Sequence, residues 1–302
     1  MSRFPDPPVG LEQASAEVGT LGGVSPSPVG ASHNGMGILE IRRVVEIIEN
    51  EGIACCVVGA KALRYYGVPR VSVSPQITYL FCCPVARDIS LTLIAAKEDW
   101  SMCVPTNKVE YVKDLFTTAP HCEIYEDADQ IVPTVRSLLH TYPRLRRKDV
   151  KFSFFIIPSW EFFMKDFGPS RFEYSSSHIP YPMLDFFAQG LLDTQHWMEL
   201  EQLIDGMDLD MKWAQANIDF DRPGRIEYAE EKNGRIRNSL ENFPNSSPST
   251  LSTKPLDLRA RFQRTIDNKE KRIDRFAPKG KFVTQYRKTG SQDPRLKEGR
   301  LC

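Results

Sequence analysis

The chain has 302 residues, of which 41% are hydrophobic, enough to bury the core of one large domain or two modest ones, so a wholly unstructured polymer is excluded. Its 39 Lys and Arg balance 39 Asp and Glu, so no global attraction to nucleic acid or to an anionic membrane is expected. The balance is uneven along the chain: residues 221–302 carry 20 Lys and Arg against 11 Asp and Glu, which leaves the first 220 residues acidic.

Residues 1–37 are rich in Pro, Gly and Ser with few large apolar side chains, and too little burial is available there to offset the entropy of ordering, so a disordered segment is expected. From Leu39, apolar residues Ile41, Val44, Val45 and Ile48 recur at helical spacing and Gly52 supplies a C-terminal stop. The run IACCVV reads as a buried strand, AKALRYY as a short helix, and ITYLFCC as a second strand leading into a helix near Val85–Lys97. Next come a segment from Val109 to Leu115, a strand candidate HCEIY, and a helix candidate QIVPTVRSLLH that Pro133 confines to its first turn. A further strand, VKFSFFII, ends at Pro158. This alternation argues an α/β fold.

From Pro182 the pattern becomes helical, with one stripe of Leu184, Phe187 and Leu191 and another of Trp197, Leu200, Ile204 and Met207, continued by Trp213 and Ile218. The expected organisation is therefore an α/β domain over 38–180, a small helical subdomain packed on it over 181–220, and a basic, largely disordered tail over 221–302. The tail contains a linker, NFPNSSPSTLSTKP, and a helix candidate at 257–276 whose apolar stripe is sparse.

The seven cysteines include the adjacent pairs Cys55-Cys56 and Cys82-Cys83 inside apolar runs, and no CxxC occurs, so buried free thiols in a reducing compartment are expected. The N-terminal stretch lacks the apolar core of a secretory signal, and no window approaches membrane-spanning length. An intracellular protein with no membrane partner is the expectation, cytoplasm ahead of nucleus. The DFG triplet at Asp166–Gly168 has no accompanying kinase motifs, and the five histidines show no metal-ligand spacing.

The segment VGAKALRYYGVPRVSVSPQITYLFCCP, Val58–Pro84, resembles the opening of the nucleotidyltransferase fold, the polymerase-beta-like superfamily that includes the minimal nucleotidyltransferases, in a degenerate form similar to proteins of filamentous fungi. In that family a strand ends in Gly-Gly or Gly-Ser, a helix of the AL..YG..R kind follows, and the next strand carries two acids one residue apart. Here Gly59-Ala60 replaces Gly-Gly, ALRYYGVPR matches, and after thirteen residues Ser74 and Gln76 fall where the acids belong. The resemblance implies a mixed sheet with flanking helices and a cleft formed by Gly59, Ala60, Lys61, Arg70, Ser74 and Gln76.

Gly59 at a strand end permits close backbone approach to a phosphate, and a helix opening at Ala60 offers N–H groups to an anion, although an ordinary strand-to-helix turn reads the same way. Nucleotidyl transfer needs Mg²⁺, which is held by anionic oxygen. Ser74 and Gln76 offer only neutral oxygen, and VKFSFFII, the best match for the strand of a third family carboxylate, holds no acid. The expectation is a non-catalytic scaffold with no catalytic residues, no bound metal and no cofactor, used as a binding or interaction module, with a nucleotide as a candidate ligand of the cleft. An alternative is an active Mg²⁺-dependent transferase that recruits Asp127 or Asp129 of YEDADQ, a pair otherwise read as capping the helix that follows. A third reading is an adaptor that meets nucleic acid or an acidic partner through the basic tail, where Arg259, Arg261, Arg264, Lys269, Lys271 and Arg272 are dense. The competing expectation for that tail is intramolecular: it folds back on the acidic body or stays solvated.

Overall fold

Helix α1 (Ile38–Asn50) forms where the spacing places it. Ile41, Val44, Val45 and Ile48 are buried along one face, and Gly52, at φ +69°, ends the helix with its N–H on the carbonyl of Glu49. The computed structural model describes residues 29–68, 99–133, 137–241, 250–269, 271–272 and 293–296. The expected strand ITYLFCC, the helix near 85–97 and the cleft residues Arg70, Ser74 and Gln76 lie outside the described residues.

Order begins earlier than the composition of residues 1–37 suggests. Strand β1 (Val29–Gly30) runs parallel to β6 (Val150–Lys151), and the Val29 N–H donates to the carbonyl of Asp149 at 3.1 Å. The backbone N–H and the hydroxyl of Ser32 both donate to the Glu40 carboxylate, and Trp100 Nε1–H donates to the carbonyl of Met36 at 2.8 Å. A few specific anchors thus fix residues 29–37, an effect that average composition does not register.

The central sheet is mixed and five-stranded, in the order β2-β3-β7-β5-β4. Strand β2 (Cys56–Val57) leads into α2 (Gly59–Tyr65) and pairs antiparallel with β3 (Trp100–Val104). Strand β3 runs parallel to β7 (Ser153–Pro158), which continues antiparallel to β5 (Arg144–Arg147) and then β4 (Tyr125–Asp127). Helix α3 (Val109–Thr117) covers one face of the sheet, where the Phe116 ring meets Tyr125 at 4.9 Å and Phe154 at 5.3 Å, both edge-on.

Two local expectations are corrected. HCEIY is a 3₁₀ turn (His121–Glu123) rather than a strand, with the strand itself beginning at Tyr125. The candidate helix QIVPTVRSLLH holds no α-helix among its described residues, only a 3₁₀ turn at Leu139–Thr141. Pro133 lacks an N–H and disfavours helical geometry at Val132, which leaves too short a run to nucleate.

Strands β8 (Phe172–Tyr174) and β9 (Pro180–Pro182) form a hairpin that leads into α4 (Leu184–Asp193), α5 (Trp197–Met207) and α6 (Met211–Asn217). These helices share one apolar cluster with the sheet rather than forming a separate core. Close approach is allowed by Gly206 of α5, where a Cβ would stand 2.9 Å from Val68 Cγ2 and 3.2 Å from the carbonyl of Tyr66.

The tail differs most from expectation. Residues 225–239 form helix α7 (Arg225–Ser239), and Leu258–Asp267 forms α8, whose Leu258 and Phe262 join the main core. Helix α7 buries Tyr228, Ala229 and Ile236 and mixes polar groups into the same face. Its Lys232 ammonium is fully buried 2.9 Å from Glu161 Oε1, Tyr142 O–H donates to Glu161 Oε2 at 2.6 Å, and Tyr228 O–H donates to the Glu161 carbonyl at 2.7 Å. A helix whose buried face includes Lys232 and Asn233 carries little of the hydrophobic periodicity by which helices are recognised in sequence. Among the described residues, no helix is long and apolar enough to cross a membrane.

Candidate functional site

The turn from β2 into α2 holds Gly59 at φ +66°, a left-handed conformation that a Cβ would strain. Val58 N–H donates to the carbonyl of Ser101 at 2.9 Å, so the turn is fastened to β3, and a Cβ on Gly59 would lie 3.7 Å from Ser101 Oγ. Among the described residues, the strand beside β2 is therefore β3. At its head Ser101 stands on the face next to Gly59, and Asp99 lies one residue before the strand begins.

Side chains alternate along a strand, so Asp99 and Ser101 share this face with Ser153 and Phe155 of β7 and with Arg144 of β5, which lies opposite Phe155. Asp99 is buried. Arg144 Nε–H donates to Asp99 Oδ2 at 2.8 Å, and the Ser153 hydroxyl donates to Asp99 Oδ1. Arg144 Nη1–H also donates to the carbonyl of Asp129 at 2.6 Å, and its guanidinium sits 5.6 Å from the centre of the Phe155 ring. Both carboxylate oxygens of Asp99 thus have a donor from within the protein, and one of those donors is a cation.

Of the cleft residues expected from sequence, Gly59, Ala60 and Lys61 are together at the head of α2. Lys61 departs from expectation. It is buried, and its ammonium lies over the Trp100 ring at 4.8 Å, on the face of β3 opposite Ser101. Asp127 is remote from Gly59. Strand β4 is the far edge of the sheet, four strand spacings from β2, or about 19 Å. Asp127 is exposed in that strand, Asp129 lies beyond it with its carbonyl on Arg144, and neither caps a helix among the described residues.

The residues that sequence reasoning missed are Asp99, Ser101, Arg144 and Ser153. The available signal was the motif Asp99-Trp100-Ser101 at the head of the apolar run Met102–Val104. Among the described residues no group of three or more His, Cys, Asp and Glu is placed to share a metal ion. Cys56 and Cys103 face each other across β2 and β3 as free thiols, and burial pushes the Cys56 thiol well above its ordinary range.

A cavity of about 360 Å³ lies elsewhere, between the start of α7 and the segment before α8. Its wall includes Arg222 and Arg225, which both donate to the buried Asp193 carboxylate, at 2.9 and 2.5 Å. No protein-family model matches the chain, and no curated protein matches it.

Proposed function

We propose that the chain is a non-catalytic protein of nucleotidyltransferase-like fold that serves as a binding or interaction module. One observation carries this reading. The resemblance puts neutral Ser74 and Gln76 at the two acidic positions, and the one carboxylate beside the head of β3 among the described residues, Asp99, is already paired with Arg144 and hydrogen-bonded by Ser153. A divalent ion would have to displace the half-buried Arg144 guanidinium to reach the carboxylate, and a neutral oxygen would have to replace the second anionic ligand. The sheet order supports the reading further, since β2 antiparallel to β3 and β3 parallel to β7 make a mixed sheet of the kind the resemblance implies. The alternative of an active transferase using Asp127 is disfavoured by its place on the opposite sheet edge, and the contact of Asp129 with Arg144 is made by its carbonyl rather than its carboxylate.

The test is incubation of the whole chain with labelled nucleoside triphosphates, Mg²⁺ or Mn²⁺ and candidate acceptors, beside thermal-shift titrations of nucleotide with and without metal. No label transfer is expected, and any nucleotide-induced shift should be the same with and without the metal. Label transfer that Asp99→Asn abolishes would sink the reading.

A further inference from the structure

The register of β2 against β3 places Cys56 directly opposite Cys103, while Cys55 precedes the strand and has no partner in that register. The ladder fixes the geometry of the pair. Val58 N–H donates to the carbonyl of Ser101, and hydrogen-bonded and non-hydrogen-bonded pairs alternate along an antiparallel ladder, so Cys56 and Cys103, two positions along, are a hydrogen-bonded pair as well. Such pairs hold their Cα atoms about 5.5 Å apart, inside the window of about 4.4–6.8 Å that a disulfide spans. Their Cβ atoms stand at the wide end of the cross-strand range, about 5.5 Å, whereas a relaxed disulfide has them at about 3.8 Å. The Cys103 thiol lies within hydrogen-bonding reach of that of Cys56, and both are free. The backbone thus admits a bridge here, but only with strain.

We infer that Cys56 and Cys103 form a reversible disulfide on oxidation by a peroxide, a covalent modification that staples β2 to β3. One thiolate attacks the peroxide, the O–O bond breaks, and its sulfur keeps one oxygen as a sulfenic acid while the other leaves as water. The second thiolate attacks that sulfur, the S–O bond breaks and a second water leaves. Two thiols have then given two electrons and two protons to one peroxide.

Burial decides when the step occurs. Both residues are fully buried, and burial holds the Cys56 thiol well above its ordinary range, so the closed strand offers almost no thiolate to a peroxide. Strand β2 is two residues long and is, among the described residues, an edge of the sheet, so its opening breaks few hydrogen bonds compared with unfolding of the whole chain. Opening of β2 therefore gates the reaction. Strain acts on the reverse step: a bridge drawn across a hydrogen-bonded pair is reduced more readily than a relaxed one, which fits a switch better than a permanent staple. Val58 and Gly59 follow Cys56 directly, so closing the bridge pulls on the Gly59 turn, although the inference holds whether or not that turn meets a ligand.

The experiment treats the folded full chain with hydrogen peroxide, alkylates the remaining thiols and maps linked tryptic peptides by mass spectrometry. The peptide holding Cys55 and Cys56 should be joined to the peptide holding Cys103, with loss of two hydrogens, in the wild type and in Cys55→Ala. The joined peptide should be absent from Cys56→Ala and Cys103→Ala. Cys55→Ala removes a thiol that is just as buried, so it controls for any loosening that a cysteine substitution brings. Millimolar reduced glutathione should return the wild type to its free-thiol mass. The wild-type map needs no variant: a Cys103 peptide left unlinked by peroxide while circular dichroism shows the chain folded overturns the inference. So does linkage of Cys103 that persists in Cys56→Ala, or a bridge that glutathione leaves intact. Label transfer at the cleft is read in a separate assay, so the two readings fail independently.

Discussion

Two ion pairs on the same sheet serve opposite purposes. Asp99 and Arg144, with side chains 7% and 14% exposed, join the head of β3 to β5 within the one sheet. Glu161 and Lys232 lie beyond the end of β7, 9% and 1% exposed, and join that sheet to a helix 71 residues further along the chain. The first pair neutralises a surface that could otherwise take a cation. The second makes docking of a helix conditional on a charge match, since each partner would be costly to bury alone. What the pairs teach is that burial of a charge has to be read with the element that supplies its partner.

The comparison breaks most readily at the second pair. Lys232→Ala leaves Glu161 buried without its cation and should destabilise the protein by about 3–5 kcal/mol in urea unfolding, whereas Lys232→Met combined with Glu161→Leu should recover a large part of that loss. Equal losses for the single and double variants would mean that the pair contributes by attraction rather than by conditional docking. Arg144→Ala should cost less, about 2–3 kcal/mol, because Arg144 is nearer solvent and Ser153 still serves Asp99. A cost as large as that of Lys232→Ala would erase the distinction between the two sites.

A smaller effect tests the surface near the end of α7. Burial lowers the His140 pKa from its ordinary 6.5, against smaller raising contributions from the backbone of Ser239 and Ser137. The unfolded chain then takes up a proton more readily than the folded one as pH falls through 6.5. Stability should therefore drop below that pH, and His140→Gln should flatten the drop between pH 7 and pH 5. A wild-type curve parallel to that of the variant removes the claim. The smallest effect is expected at Arg42 and Glu46, an exposed i,i+4 pair on α1: Arg42→Gln should change stability by no more than about 0.5 kcal/mol.

Helices α1, α4 and α5 were legible because each repeats apolar side chains at helical spacing, and strand β7 because its buried run is continuous. Helix α7 was not, since Lys232 and Asn233 are buried where a sequence reading would place them in water, and Asn233 earns that position by exchanging hydrogen bonds with the backbone of Leu251. The glycine turn of the candidate site was legible at Gly59. Its polar wall was not: Asp99, Ser101, Arg144 and Ser153 come from three strands whose pairing is set by the folded sheet, and the spacing to Ser74 and Gln76 drew attention to residues outside the described structure. Lys61 shows the same limit in a single residue, because the head of a short helix suggests solvent and the neighbouring Trp100 supplies a ring.

The anchoring of Val68 and Asp99 has a consequence for how this chain can vary. Val68 is sealed against Gly206 and hydrogen-bonded to Leu63, while Asp99 is clamped by Arg144 and Ser153, so the two ends of the connection from 69 to 98 are fixed by their neighbours on the folded body. Variants that keep Gly206, Arg144 and Ser153 keep both clamps, so the alignment of β3 beside β2 is held from outside residues 69–98.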